Sequence, residues 1–293
     1  MSRTNAETQG LVNSHFEGAS AFWTDVYERE DVIALICQRR RDIALGWIDE
    51  LELPVHGRVL EVGCGAGLTS VELAKRGFDV HATDAVPDMI ELTRRHAAQA
   101  NVSARLQTSL SDIHALEFED QTFDAVVALG VLPWLHSPQT AMHELARVLK
   151  PGAHLVVSAN NVDRLPYLID PKYNRALKPV RKAVKRLLDR VGLRRGREGD
   201  REGGRSRGPV VHMVTPKVFD CMLGRAGLST VRGQTFGFGP FTFLGRQVLP
   251  QRLGVELHRR LERRAERGGR ILRQRGHQYI VLGRKGTSLA TRD

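Results

Sequence analysis

Residues 58–67, RVLEVGCGAG, constrain the fold of this chain more than any other stretch. Arg58–Val62 reads as a short buried strand that carries an acid, Glu61, near its end and runs into three alternate glycines, Gly63, Gly65 and Gly67. Alternate glycines permit a tight turn and let the backbone approach a ligand closely. Residues 68–76 follow, with Leu68, Val71 and Leu73 on the inward side of a helix. A strand, a glycine turn and a helix form a unit whose next strand lies parallel to the first. The chain repeats that unit. Residues 78–83 read as a second strand and 87–100 as a helix opened by Pro87. Residues 104–107 form a weak third strand, and 123–129, apolar apart from Asp124, a fourth. Residues 138–149 read as a helix closed by Lys150-Pro151-Gly152, and 154–158 as a fifth strand. This order predicts an α/β protein with a mostly parallel sheet and helices on both faces.

At about 150 residues per domain, 293 residues allow two units or one domain with large insertions. The 41% hydrophobic content supports a packed core. No stretch reaches the roughly 18–20 uncharged apolar residues of a membrane span. The opening MSRTNAETQG lacks the apolar core of a signal peptide. Cys37, Cys64 and Cys221 make neither a disulfide framework nor a zinc cluster, which suits a reduced, cytoplasmic compartment and no metal. The net charge of +11 is unevenly placed. Residues 1–171 hold 14 Lys and Arg against 24 Asp and Glu, residues 172–207 hold 14 against 4, and residues 246–285 hold 12 against 3. Such asymmetry points to an acidic ligand, an anionic membrane or nucleic acid.

The regular alternation breaks after residue 160. Val180, Val184, Leu187, Leu188 and Val191 keep helical spacing, with basic residues on the other face. Residues 194–208 are almost only Arg, Gly, Glu, Asp and Ser, and read as a mobile loop. Thr215-Pro216 caps a helix that runs to Arg225, and Gly227 ends it. Residues 228–235 and 278–282 are the last two strands. Between them a second basic insertion carries Leu253, Leu257 and Leu261 four apart.

The glycine turn is not a dinucleotide fingerprint, which wants Gly where Leu68 stands. Glu61 would repel a pyrophosphate and suits a cationic group instead. Asp84, at the next strand's end, is placed to accept from both hydroxyls of a ribose. The run Glu-Val-Gly-Cys-Gly-Ala-Gly resembles the first motif of the class I S-adenosylmethionine-dependent methyltransferases. Asp84 matches the family's ribose-binding acid. Ser111-Asp112-Ile113-His114-Ala115-Leu116-Glu117-Phe118, followed by Phe123-Asp124, resembles the segment in which an Asp and its successor flank the adenine. Arg147-Val148-Leu149-Lys150-Pro151-Gly152 resembles the family's turn before the fifth strand. The likeness covers about residues 57–160, and its nearest flavour is the small-molecule group that includes quinone-biosynthesis enzymes.

The resemblance implies a Rossmann-like, doubly wound, mostly parallel seven-stranded sheet with a helical cap built from insertions. It divides the chain into an N-terminal helical segment over the cofactor (1–56), a cofactor-binding core (57–160), a basic cap (161–210) and the remainder with the second basic insertion (211–293). It implies S-adenosyl-L-methionine as cofactor, held by Glu61, Gly63, Cys64, Gly65, Gly67, Asp84, Ala85, Met89, Asp112, Ile113 and Leu129. Phe16, Phe22, Trp23 and Tyr27 fit a helix that closes over it, and equally fit plain core packing. The implied reaction is methyl transfer to an oxygen of a small lipophilic or acidic metabolite. An RNA or protein methyltransferase and a non-catalytic cofactor binder remain the alternatives. Pro133 and Trp134 stand where relatives often carry histidines. His212 leads as general base, with His136 and His15 after it. The basic segments suit a lid over an anionic substrate or peripheral contact with an anionic membrane on its inner face. Nucleic acid is disfavoured, because Tyr167, Tyr173 and the phenylalanines of 236–243 lie outside the densest arginine runs.

Overall fold

The computed structural model describes residues 5–17, 23, 25–190, 211–269 and 271–287. The proposed mobile loop, Val191 and Phe22 lie outside the described residues. Helix α1 (Asn5–Glu17) and helix α2 (Val32–Asp49) precede the sheet. The Asp31 side chain caps α2 by accepting from the Ile33 and Ala34 amides, which satisfies two amides that the helix itself leaves unpaired. The alternation then runs β1 (Arg58–Val62), α3 (Leu68–Lys75), β2 (Asp79–Asp84), α4 (Pro87–Gln99), β3 (Leu106–Leu110) and β4 (Phe123–Ala128). Helix α5 (Pro138–Val148) leads directly into β5 (Leu149–Asn161).

Beyond β5 come a short helix α6 (Leu165–Ile169) and the basic helix α7 (Lys178–Arg190). A two-residue strand β6 (Met213–Val214) returns beside Asn160 and Asn161 of β5. Then follow α8 (Pro216–Arg225), β7 (Leu228–Phe236), a hairpin of β8 (Thr242–Phe243) and β9 (Arg246–Gln247), α9 (Gln251–Glu266) and β10 (Gln278–Lys285). The sheet order is β3-β2-β1-β4-β5-β10-β7, with β6 beside β5 as an eighth strand. Strands β1 to β5 pair in parallel, and β10 runs antiparallel between β5 and β7. The mostly parallel, doubly wound sheet inferred from sequence is present.

Successive strand residues point to opposite faces, so each buried strand feeds two cores. Val59, Ala125, Val127 and Val156 join Ile43 and Trp47 of α2 and Leu73 of α3. Leu60, Val126, Leu155 and Val157 join Met142 and Leu145 of α5 and Phe219 and Leu223 of α8. This two-sided burial explains why β1 and β4 read as continuous apolar runs. Strand β5 is longer than the sequence suggests. It starts at Leu149, and its register against β4 shifts between Phe123 and Ala125, which absorbs Pro151 and Gly152 as an irregularity within the strand.

Candidate functional site

Order reverses between β1 and β4, and ligands of open parallel sheets bind outside the carboxyl ends at such a point. A cavity of about 1020 Å³, solvent at its mouth included, lies there. Of the eleven cofactor positions named from sequence, Glu61, Gly63, Cys64, Gly65, Asp84, Ala85, Met89, Asp112, Ile113 and Leu129 line it. Gly67 does not.

The glycine turn divides its labour. The Gly63 and Cys64 amides donate to Thr83 O at 2.7 and 3.0 Å, which ties the turn to β2. Gly65 and Gly67 both have left-handed backbone, with φ of 54° and 74°. A Cβ on Gly65 would meet nothing within 4 Å, because it faces the cavity. A Cβ on Gly67 would lie 2.4 Å from Thr93 Cγ2, so that glycine lets α3 pack on α4.

Asp84 ends β2, and its carboxylate accepts from the Gly65 amide at 2.9 Å and the Val86 amide at 3.0 Å. Burial pushes this carboxyl up, and those amides work against the shift. Asp112 accepts from the His114 amide, and His114 Nδ1 lies 2.7 Å from the same oxygen. The His114 ring stacks on His136 with centroids 3.7 Å apart. Burial lowers the His136 pKa, as does the neighbouring His114.

Glu61 is buried beside the turn, and the Ser70 hydroxyl donates to its Oε2. Burial pushes its carboxyl up to about 7, against the Ser70 and Thr69 hydroxyls and the Arg40 charge. Arg40 shares this end of the cavity and is only 6% exposed. Its Nη1 reaches Gln278 Oε1 at 3.5 Å, and a Cβ on Gly130 would fall 2.2 Å from that nitrogen. Its Nε is buried with no hydrogen-bond partner among the described residues. The sequence reading missed Arg40 inside the run Arg39-Arg40-Arg41. The signal was its place four residues after Ile36 and four before Ala44 on one helix stripe, where both neighbours are buried.

Helix α1 closes the cavity with Gln9, Val12, Asn13 and Phe16, joined by Trp23, Tyr27 and Trp134. Phe16 meets the Trp134 ring edge-on at 5.1 Å and Trp23 at 5.9 Å. The histidines named as bases stand outside. The His212 amide donates to Pro133 O at 2.6 Å and its residue is exposed. His136 follows the lining residue Leu135, and His15 stacks on Trp134 at 5.2 Å. Among the described residues no histidine lines the cavity.

Residues 60–157 match the family model described as a methyltransferase domain. That match covers about a third of this chain. Among curated proteins, the chain is 30% identical over 154 residues to a ubiquinone biosynthesis O-methyltransferase of Alkalilimnicola ehrlichii, covering 52% of this chain and 60% of that protein. The chain thus spans about three fifths of the length of the curated relatives it first matches. Among solved structures, the likeness of fold extends over nearly the whole chain. The magnesium protoporphyrin IX methyltransferase of Synechocystis PCC 6803, solved with SAH, aligns with TM-score 0.59 and 15% identity over 95% of this chain and 100% of that one. A (4+2)-cyclase aligns with TM-score 0.53 and 19% identity over 85% of this chain and 81% of that one. Identities this low speak for the fold alone.

Proposed function

We propose that this chain transfers a methyl group from S-adenosyl-L-methionine to an oxygen of a small lipophilic or acidic metabolite. One observation carries the reading. The cavity sets a buried acid and a buried guanidinium, Glu61 and Arg40, at the glycine turn, and two further carboxylates, Asp84 and Asp112, at the next two strand ends. That donor set fits an amino acid joined to a nucleoside. Glu61 would take the ammonium group, Arg40 the carboxylate through its buried Nε, Asp84 the ribose hydroxyls, and Asp112 with Ile113 the adenine. The wrong charges for a pyrophosphate stand where a dinucleotide would need donors.

When bound, the cofactor supplies an electrophilic methyl group. The protein's part is to hold the acceptor oxygen about 3–3.5 Å from it in a dry site, an effect that can contribute roughly 7–11 kcal/mol. Phe16, Trp23, Trp134 and Leu135 exclude water and suit an apolar acceptor. The O-methyltransferase relatives support oxygen as the accepting atom. An acceptor that arrives ionised, such as a carboxylate or an acidic phenol, needs no base, which fits a cavity that no histidine among the described residues lines. His136 acts here as a positioning residue, stacked behind the His114–Asp112 pair, and His212 holds the α8 entrance against Pro133. Contact with an anionic membrane belongs to the same proposal. No helix among the described residues is long and apolar enough to cross one.

The test is incubation with methyl-labelled S-adenosylmethionine and a bacterial extract, sorted by solvent extraction. Label in the organic phase supports the reading, and label in nuclease-sensitive or protein-bound product overturns the small-molecule acceptor. Asp84→Ala is expected to weaken cofactor binding more than tenfold by calorimetry, by loss of the ribose bonds and of the contacts that hold Gly65. Near-unchanged affinity removes Asp84 from the ribose site.

A further inference from the structure

Two segments leave the sheet from the carboxyl ends of β5 and β7, the edge on which the cavity opens. They meet at Asp170, just after α6. Asp170 is fully buried and accepts from Thr242 Oγ1 and the Gly245 amide, both at 2.9 Å. Its other oxygen accepts from the Lys172 amide at 2.8 Å. Gly245 sits tightly against Lys172 and Tyr173, where a Cβ would lie 2.5 Å from Lys172 Nζ. The β8–β9 hairpin is therefore fastened to the start of the basic cap.

What this anchor holds out is apolar. The hairpin turn is Leu244-Gly245, with φ of 52° and 79°. A two-residue turn with both central residues left-handed ordinarily takes Asn or Asp before the Gly. Here a leucine holds that place and is 59% exposed, beside Phe243 at 50%. Ile169, one residue before the anchoring Asp170, is 59% exposed as well. A side chain unfavourable for the backbone and unfavourable toward water has no account in the folded chain alone. Beside this tip, residues 172–190 hold eight Lys and Arg and one acid, Asp189. Lys178, Lys182 and Arg186 recur every four residues along α7 and all are exposed.

We propose that the β8–β9 hairpin tip and α7 together form a docking surface for an anionic lipid bilayer. Phe243, Leu244 and Ile169 enter the interfacial region, and Lys178, Lys182 and Arg186 lie along the headgroups. Charge complementarity selects a bilayer over a neutral apolar partner, and the exposed apolar tip selects it over nucleic acid, which offers such a tip nothing to enter. The proposal draws on the lipophilic-acceptor reading only for its purpose, delivery of an acceptor from the membrane to the cavity mouth. The surface itself is tested without substrate.

The experiment is vesicle co-sedimentation of the full chain, with phosphatidylcholine alone and with one third phosphatidylglycerol, at low and high salt. The expected result is binding roughly tenfold stronger to the anionic vesicles and weakened by salt. Leu244→Asn is the decisive variant. Asn suits the left-handed turn, so the thermal midpoint should hold or rise while vesicle binding falls at least about fivefold. Charge reversal of Lys178, Lys182 and Arg186 to Glu should abolish the anionic preference and leave calorimetric cofactor affinity unchanged. Equal binding to both vesicle types, undiminished binding by Leu244→Asn, or binding to a short RNA but to neither vesicle overturns the proposal. Failure of cofactor binding in the unaltered protein would instead sink the catalytic reading and leave the vesicle result standing.

Discussion

Glu61 links burial to ligand choice. An acid whose pKa rises on folding, here from 4.5 to about 7, favours the folded state when protonated. Its contribution is complete below pH 4.5 and fades as pH rises through about 7, on the order of 3 kcal/mol in the unliganded protein. Cofactor binding runs the other way, because an ammonium group needs the carboxylate. Affinity is expected to rise with pH, by up to about tenfold per pH unit below 7, and to level off above it. Glu61→Gln should flatten the profile. Calorimetry from pH 5.5 to 8 checks this, and a flat profile in the unaltered protein would remove Glu61 from the ammonium site. The sequence disclosed Glu61 and Asp84 because each sits at a fixed offset from a strand end. It hid Arg40, because a run of three arginines looks solvated until the crossing of α2 over Gly130 and Gln278 decides which of them turns inward.

At the scale of the element, the glycine turn separates fold from ligand. Gly67→Ala meets Thr93 and a left-handed backbone together, and should cost about 2–4 kcal/mol in urea unfolding. Gly65→Ala carries only the backbone cost, about 1–2 kcal/mol, but places a methyl in the cavity and should weaken cofactor binding at least tenfold. If the two variants lose stability and affinity in equal measure, this division fails. Helices with strong end signals were legible to within a residue or two. Pro87, Pro138 and Thr215-Pro216 all open helices where the sequence indicates. Strand β5 was half legible, since Pro151-Gly152 reads as a stop and the neighbouring β4 nevertheless holds the chain in register on both sides of it. The β8–β9 hairpin was not legible, because Leu-Gly is not a sequence that announces a left-handed turn. Its conformation is held by Asp170, 75 residues away from Gly245.

Across the whole molecule, order should decrease outward from the sheet's middle. Leu60, Val126, Leu155 and Val281 have no exposure, whereas residues 229–234 of the edge strand β7 are all exposed. Amide hydrogen exchange is expected to be slowest in β1, β4 and β5 and fastest in β3, β7 and the hairpin. Protection in β7 equal to that in β4 would show that another surface covers that edge. Strand β10 gives the fold a schedule as well as a shape. Residues 57–157 can pair strand with strand as they are synthesised, but β7 has no neighbour until residues 278–285 slide between it and β5. A ribosome therefore exposes β7 for some forty residues of elongation before it has a sheet to join. During that interval Asp170, already synthesised, can hold the hairpin, and the emerging chain presents a strongly basic arm with an apolar tip.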